Sequence, residues 1–305
     1  MFRIKNFNVL NKISIFLALF LILNIFSCSS KVNKKNLEKE ISNLIKHFDG
    51  EVSIYIRHPD LNFEFGINEN KIMPTASLIK IPILIKIFDK IDSGDLNQDS
   101  AVLYYRDSID YKWKGEDAIS RFKDGEHITI KQLLTHMITF SDNHASLWLQ
   151  KIAGGGLAIN NWLSLNNYKN TRVNSRTRDR ENNKEKYGWG QTTAKEMTDL
   201  IIMIRKGKIV SEIYSEKIYR HLTRIFWDEE ALSQIPPHFQ VASKQGAVNK
   251  SRSEVVLVNG PKGDYAFCVI TNNQKDTTWS HDNEGFVLIR NISKLLWRYF
   301  GDENQ

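Results

Sequence analysis

Cysteine is scarce: the 305 residues contain two, Cys28 and Cys268. Cys28 ends an N-terminal apolar segment, and Cys268 lies inside the apolar run Tyr265-Ala266-Phe267-Cys268-Val269-Ile270, where a thiol packs as a small hydrophobe. If Cys28 is used elsewhere, no intramolecular disulfide is possible. Metal-ligand patterns are missing as well. The eight histidines are scattered, with no His-x-His or His-x-x-x-His pair, which argues against a zinc hydrolase, so neither metal nor cofactor is expected. There is no Gly-x-Ser-x-Gly elbow, which disfavours the α/β-hydrolase route to a serine nucleophile. Gly154-Gly155-Gly156 lacks the Lys-Ser/Thr of a phosphate loop and reads as a helix connector. No internal repeat or low-complexity tract is found.

What is present is an ordinary soluble composition, 41% hydrophobic and 25% charged, long enough for one large domain or two small ones. The N-terminus differs. Arg3, Lys5 and Lys12 precede an apolar stretch from Ile13 to Phe26, the order of a secretory n-region and h-region, and too short for a confident spanning helix. The segment ends Ile25-Phe26-Ser27-Cys28-Ser29-Ser30, which resembles a bacterial lipobox although Phe26 is bulkier than that pattern prefers. Residues 1–28 are therefore read as a lipoprotein-type signal, with Cys28 lipidated, or as an ordinary signal peptide cut nearby. Either way the mature protein is exported, and with Cys28 lipidated it is anchored to a bacterial membrane facing the periplasm or the exterior. Losing residues 1–27 removes three cations and no acid, so the formal net charge of +7 falls to a mild +4. That suits anionic envelope material and gives little support for nucleic-acid binding. The arginines and lysines around 172–180 and 205–208 read as solvated loops and helix ends.

Residues 29–36 form a polar linker, and one domain spans 37–305. Helical spacing runs from Leu37 to Phe48; alternation marks strands at Glu51–Ile56 and Leu61–Ile67 around the turn His58-Pro59-Asp60. From Ser77 to about Leu222 the pattern is helical. Strands return at Phe239–Ser243, Ser253–Asn259 and Asp264–Thr271, and an amphipathic helix with Phe286, Ile289, Ile292, Leu296 and Phe300 closes the chain. The expected fold is α/β (an α+β sandwich): one antiparallel sheet assembled from both chain ends, flanked by helices, with an all-helical insertion.

Three short motifs carry the chemistry: Ser77-Leu78-Ile79-Lys80, Ser141-Asp142-Asn143 and Lys244-Gln245-Gly246. Ser77 and Lys80, three residues apart, share a face where they open a helix. Ser77 then lies at the positive end of the helix dipole, where backbone N–H groups hold a developing oxyanion and a neutral lysine one turn on accepts the hydroxyl proton. Pro82 requires that the helix start close to Ser77 or kink. Ser141-Asp142 also suits a helix cap before Asn143, with Asp142 mainly structural.

These motifs, with Leu133–Ala145, Gln191-Thr192-Thr193 and Val241–Ala247 around them, resemble the class A β-lactamases and their penicillin-binding relatives across roughly Leu37 to Tyr299. The resemblance implies a β-lactamase/transpeptidase-like fold in which Ser77 is acylated, Ser141 passes a proton to the leaving nitrogen and Asn143 binds the substrate's amide side chain. It further implies that Lys244 attracts the substrate carboxylate, that Ala247 gives a second oxyanion-hole N–H beside that of Ser77, and that Gly246 lets the substrate approach the strand. Two positions depart from the pattern. Gln245 stands where the family has Thr or Ser. No Glu-x-x-Leu-Asn supplies the base that activates the deacylating water; the nearest local fit is Asp179-Arg180-Glu181-Asn182-Asn183, with Asp179 for the glutamate and Asn183 for its asparagine, or Glu181 if the register slips by two. A β-lactam or a peptidoglycan peptide is the implied substrate and a monomer is expected. A penicillin-binding acyl enzyme with slow deacylation, or a surface lipoprotein that keeps the fold as a binding module, are the alternatives. The intact Ser77, Lys80, Ser141 and Lys244 argue against the last, since binding needs no nucleophile.

Overall fold

The computed structural model describes residues 34–105, 111 and 122–301. The signal segment with Cys28 lies outside the described residues. Among the described residues no helix is long and apolar enough to cross a membrane.

The first helix, α1 (Lys34–Ile45), leads into strands β1 (Glu51–His58) and β2 (Phe63–Ile67); the chain's other end supplies β8 (Val241–Val248), β9 (Ser251–Gly260), β10 (Gly263–Asn272) and the closing helix α9 (Glu284–Phe300). These five strands form one antiparallel sheet in the order β2-β1-β10-β9-β8, so the first and last strands of the chain are neighbours and β8 is an edge. Pairing of Ile54 with Val269 and of Tyr55 with Cys268 sets the register between the termini. The sheet expected from both chain ends is the one observed.

Period-two alternation divides the sheet's side chains between two cores. On one face Ile54, Ile56, Val256, Val258, Phe267 and Val269 pack with Leu37 and Ile41 of α1 and with Leu288, Ile289, Ile292 and Leu296 of α9. On the other face Tyr55, Ala242, Val255, Leu257, Ala266 and Cys268 meet the helices of the middle segment. Each such aliphatic side chain removed from water stabilises the fold by about 1.5–3 kcal/mol relative to its exposed state.

The middle segment holds α2 (Lys80–Asp92), α3 (Ile130–Thr139), α4 (Asn143–Ile152), α5 (Gly155–Leu165), α6 (Glu181–Tyr187), α7 (Ala194–Arg205) and α8 (Glu212–Leu222). It is less purely helical than its sequence suggests. Short strands β3 (Met73–Pro74), β6 (Arg172–Val173) and β7 (Gly190–Thr192) form a second sheet, and β4 (Ala101–Leu103) pairs with β5 (His127–Thr129). α2 is the central helix: Ile81, Ile83, Leu84, Ile85, Ile87 and Phe88 are all buried around it. A 3₁₀ turn, Ala76–Ile79, precedes it, so the α-helix proper begins at Lys80. Pro82 then falls in the first turn of the α-helix, where its absent N–H breaks no bond of that helix.

Candidate active site

Ser77 sits in the 3₁₀ turn at the head of α2, half-buried, with Lys80 fully buried one turn on. The chain enters this turn through Ala76 at φ 44°, a left-handed conformation that non-glycine residues adopt only under constraint. That constraint comes from both sides: Thr75 N–H donates to Gly190 O of β7 at 3.0 Å, and Ser253 Oγ of β9 donates to Thr75 O at 3.3 Å. β8 passes so close that a Cβ placed on Gly246 would lie 2.8 Å from Thr75 O and 2.9 Å from Ser77 N. Only glycine fits there. As the sheet edge, β8 leaves one side of its backbone unpaired by strands, and at Gly246 it packs directly against the turn that carries Ser77.

Ser141 arrives from the turn between α3 and α4, also left-handed at φ 59°. Its neighbour Asp142 caps α4, accepting Ala145 N–H at 2.6 Å, and is buried, as the cap reading required. The three motifs meet at one point. Lys80 Nζ donates to Ser77 Oγ at 3.0 Å, to Ser141 Oγ at 3.0 Å and to Asn143 Oδ1 at 2.9 Å, and also bonds Ser141 O. Lys244 Nζ approaches the same Ser141 Oγ at 3.0 Å and donates to Gln245 O at 2.9 Å.

Lys244 is fully buried, and its ammonium is held well below the usual lysine range, first by desolvation and then by the charge of Lys80, with Glu254 opposing. Two buried lysines on one serine hydroxyl make a relay in which a proton leaving Ser77 Oγ has a continuous path through Lys80 and Ser141.

Other residues fall differently. Gln245 alternates to the opposite face of β8, across from Glu254, and its Nε2 is buried without a hydrogen-bond partner. The side chain that replaces the family's hydroxyl is therefore turned away from Lys244. Asp179 lies in a left-handed turn with its side chain 88% exposed and its carboxylate 3.7 Å from Arg178. Glu181 is exposed in the first turn of α6. Both carboxylates face solvent. Asn183 donates to Gln191 Oε1 at 3.0 Å, which also accepts Arg180 Nη2 at 2.7 Å, so the segment 172–193 is organised by its own polar bonds. Among the described residues no cluster of His, Cys, Asp and Glu is arranged to hold a metal ion. Sequence reading missed Tyr111, whose hydroxyl lies 3.2 Å from Asn143 Nδ2 and whose ring meets Trp189 and His144 edge-on. Its sequence neighbours gave no periodic signal.

A family model described as the β-lactamase enzyme family matches residues 36–300. The chain belongs to this family. Among curated proteins of the β-lactamase family, β-lactamase VEB-1 of Pseudomonas aeruginosa is 24% identical over 286 residues, covering 89% of this chain and 92% of that one. Solved structures agree in fold. PBP-A superposes with a TM-score of 0.74 at 20% identity, covering 86% of this chain and 95% of its own. An ancestral (GNCA) class A β-lactamase gives 0.73 at 18% identity, covering 87% and 100%, and the β-lactamase of Sphaerobacter thermophilus gives 0.72 at 17%, covering 88% and 97%.

Proposed function

We propose that this protein is a class A-type serine hydrolase that opens the β-lactam ring through an acyl-enzyme on Ser77. The observation that carries the reading is the chain of contacts from Ser77 Oγ to Lys80 Nζ, from Lys80 Nζ to Ser141 Oγ and from Ser141 Oγ to Lys244 Nζ, each 3.0 Å, in a buried setting. Ser77 Oγ attacks the lactam carbonyl while Lys80, neutral at that step, takes its proton. The oxyanion faces the Ser77 N–H and the β8 edge at Ala247. As the C–N bond breaks, Ser141 gives its proton to the leaving nitrogen and recovers one from the lysine pair, so the proton removed from Ser77 ends on the ring nitrogen. Water then releases the acid. Asn143 and Tyr111 border the same site and suit the substrate's amide side; Lys244 suits its carboxylate.

A second reading, a penicillin-binding acyl enzyme with a long-lived adduct, is favoured by one observation: Asp179 and Glu181 both face solvent. A mutant of PBP-A, which this chain resembles in fold, has itself been solved as an acyl-enzyme complex with penicillin G. A chromogenic cephalosporin separates the two. Sustained turnover abolished by Ser77→Ala supports the hydrolase; one equivalent of colour with a lasting adduct supports the second reading; no colour and no adduct contradicts both.

We also infer export and lipid anchoring at Cys28, from the charged and apolar order of residues 1–27 and the serine before the cysteine. Incorporation of labelled palmitate that Cys28→Ser abolishes is the expected result; a released, unlabelled protein contradicts it.

A further inference from the structure

The relay leaves one buried carboxylate near it unused. Glu254 lies on β9, opposite Gln245 and on the face of the sheet turned away from Ser77, and is 1% exposed. Its Oε1 accepts Ser243 Oγ at 2.6 Å, and its Oε2 accepts the Ala231 N–H at 3.0 Å. Ser243 is the residue before Lys244. Ala231 ends a segment that reaches the other wall of the cleft: Phe226 N–H donates to Thr139 O at 3.0 Å, and Trp227 Nε1 donates to Phe140 O at 3.0 Å. Phe140 O belongs to the peptide bond that enters Ser141, the residue at φ 59° whose hydroxyl must stay between two lysines. From behind, Ser293 Oγ of α9 donates to Ala231 O at 2.7 Å and fixes the segment against the terminal helix.

We propose that Glu254 is a positioning residue for acylation, whose carboxylate fastens the strand carrying Lys244 to the segment that fastens Ser141. A single side chain thus sets the distance between the two walls of the relay. It touches no substrate and acts through Ser243 and Ala231.

The charge of this group matters as well as its shape. On its own face Glu230 lies beside Ala231 and is paired with Arg290 of α9, which also contacts His281; through the sheet, Lys244 on β8 and Cys268 on β10 extend from the opposite face, and Arg252 is two positions back on its own strand. Burial pushes the Glu254 carboxyl up to about 7, against the hydrogen bonds from Ser243 and Ala231. Below neutrality the carboxyl is protonated, one oxygen becomes a donor, and the clamp on two donors is lost. Ionisation also supplies an opposing charge for the Lys244–Lys80 pair.

The inference rests on the acyl-enzyme reading, and the test separates the two. The rate of Ser77 acylation by a chromogenic cephalosporin is measured from pH 5.5 to 8.5 in the wild type and in Glu254→Gln, which keeps the shape and removes the charge. The expected result is a defect of about tenfold at pH 8 that shrinks to less than twofold at pH 5.5. The same defect at every pH, or none, overturns the proposal. Melting temperatures give a readout independent of activity. A group whose folded pKa is raised stabilises below its unfolded value and loses that contribution as pH rises through the folded one, here from about 4.5 to about 7. The wild type should therefore fall relative to Glu254→Gln by on the order of 5 °C across that window. Absence of acylation in both proteins at all pH values contradicts the acyl-enzyme reading itself, and the melting comparison still reports on Glu254.

Discussion

Around Lys80 and Ser141 the side chains of Ser77, Asn143 and Lys244 each lie within hydrogen-bond reach of one or the other, whereas the segment from Arg172 to Thr193 turns both of its candidate carboxylates to solvent. The difference follows from burial. Lys80 and Lys244 are fully buried, so every donor they carry needs a partner and their positions are over-determined by the core around them. Asp179 and Glu181 are satisfied by water wherever they point. Glu196, at the start of α7, secures the beginning of that segment by accepting the N–H groups of Lys169, Asn170 and Thr171 rather than by reaching the cleft. The acyl-forming half of the reaction is thus built into the fold's interior, and the residues read as its deacylating half are not.

The largest expected effect of breaking this contrast is at the nucleophile. Ser77→Ala should remove acylation entirely, measured as loss of both turnover and adduct, because it deletes the hydroxyl that lies 3.0 Å from Lys80 on the turn against which β8 packs at Gly246. Lys80→Ala removes the group 3.0 Å from Ser77 Oγ and should lower the acylation rate by about 10²–10⁴-fold in single-turnover kinetics. Gly246→Ala comes next. Its methyl would meet backbone atoms of Thr75 and Ser77 at 2.8–2.9 Å, which moves either β8 or the nucleophile's turn, and a displacement of that order lowers the rate about a hundredfold. Smallest are Asp179→Asn and Glu181→Gln. Each should change steady-state turnover by less than twofold, and a hundredfold loss at either would overturn the contrast between the two halves.

Legibility in the sequence follows the same division. The strand Glu51–Ile56 and the closing helix are marked by periodicity because each presents a face to a core, and Asp264–Thr271 by an apolar run because it is buried between two cores. The three motifs are legible because their residue types have few structural uses at those spacings. α6 is not, since Glu181–Tyr187 buries none of its residues and so has no apolar period. Pro82 signals a boundary but not its form, which is a 3₁₀ turn handing over to an α-helix at Lys80. Adjacency in the chain places Gln245 with Lys244, whereas strand alternation sends it to the far face with Glu254. Glu254 itself carries a signal that motif reading passes over: a lone acid inside Ser253-Glu254-Val255-Val256-Leu257-Val258 is not tolerated in a buried strand without partners.

The central claim is that Ser77 is the residue acylated. Rapid-quench mixing of the purified protein with a chromogenic cephalosporin, followed by intact mass and peptide mapping, tests it most directly. The account predicts one acyl group per chain on the peptide containing Ser77, formed within the first turnover and absent in Ser77→Ala. An adduct on another residue, or turnover that survives in Ser77→Ala, would contradict it.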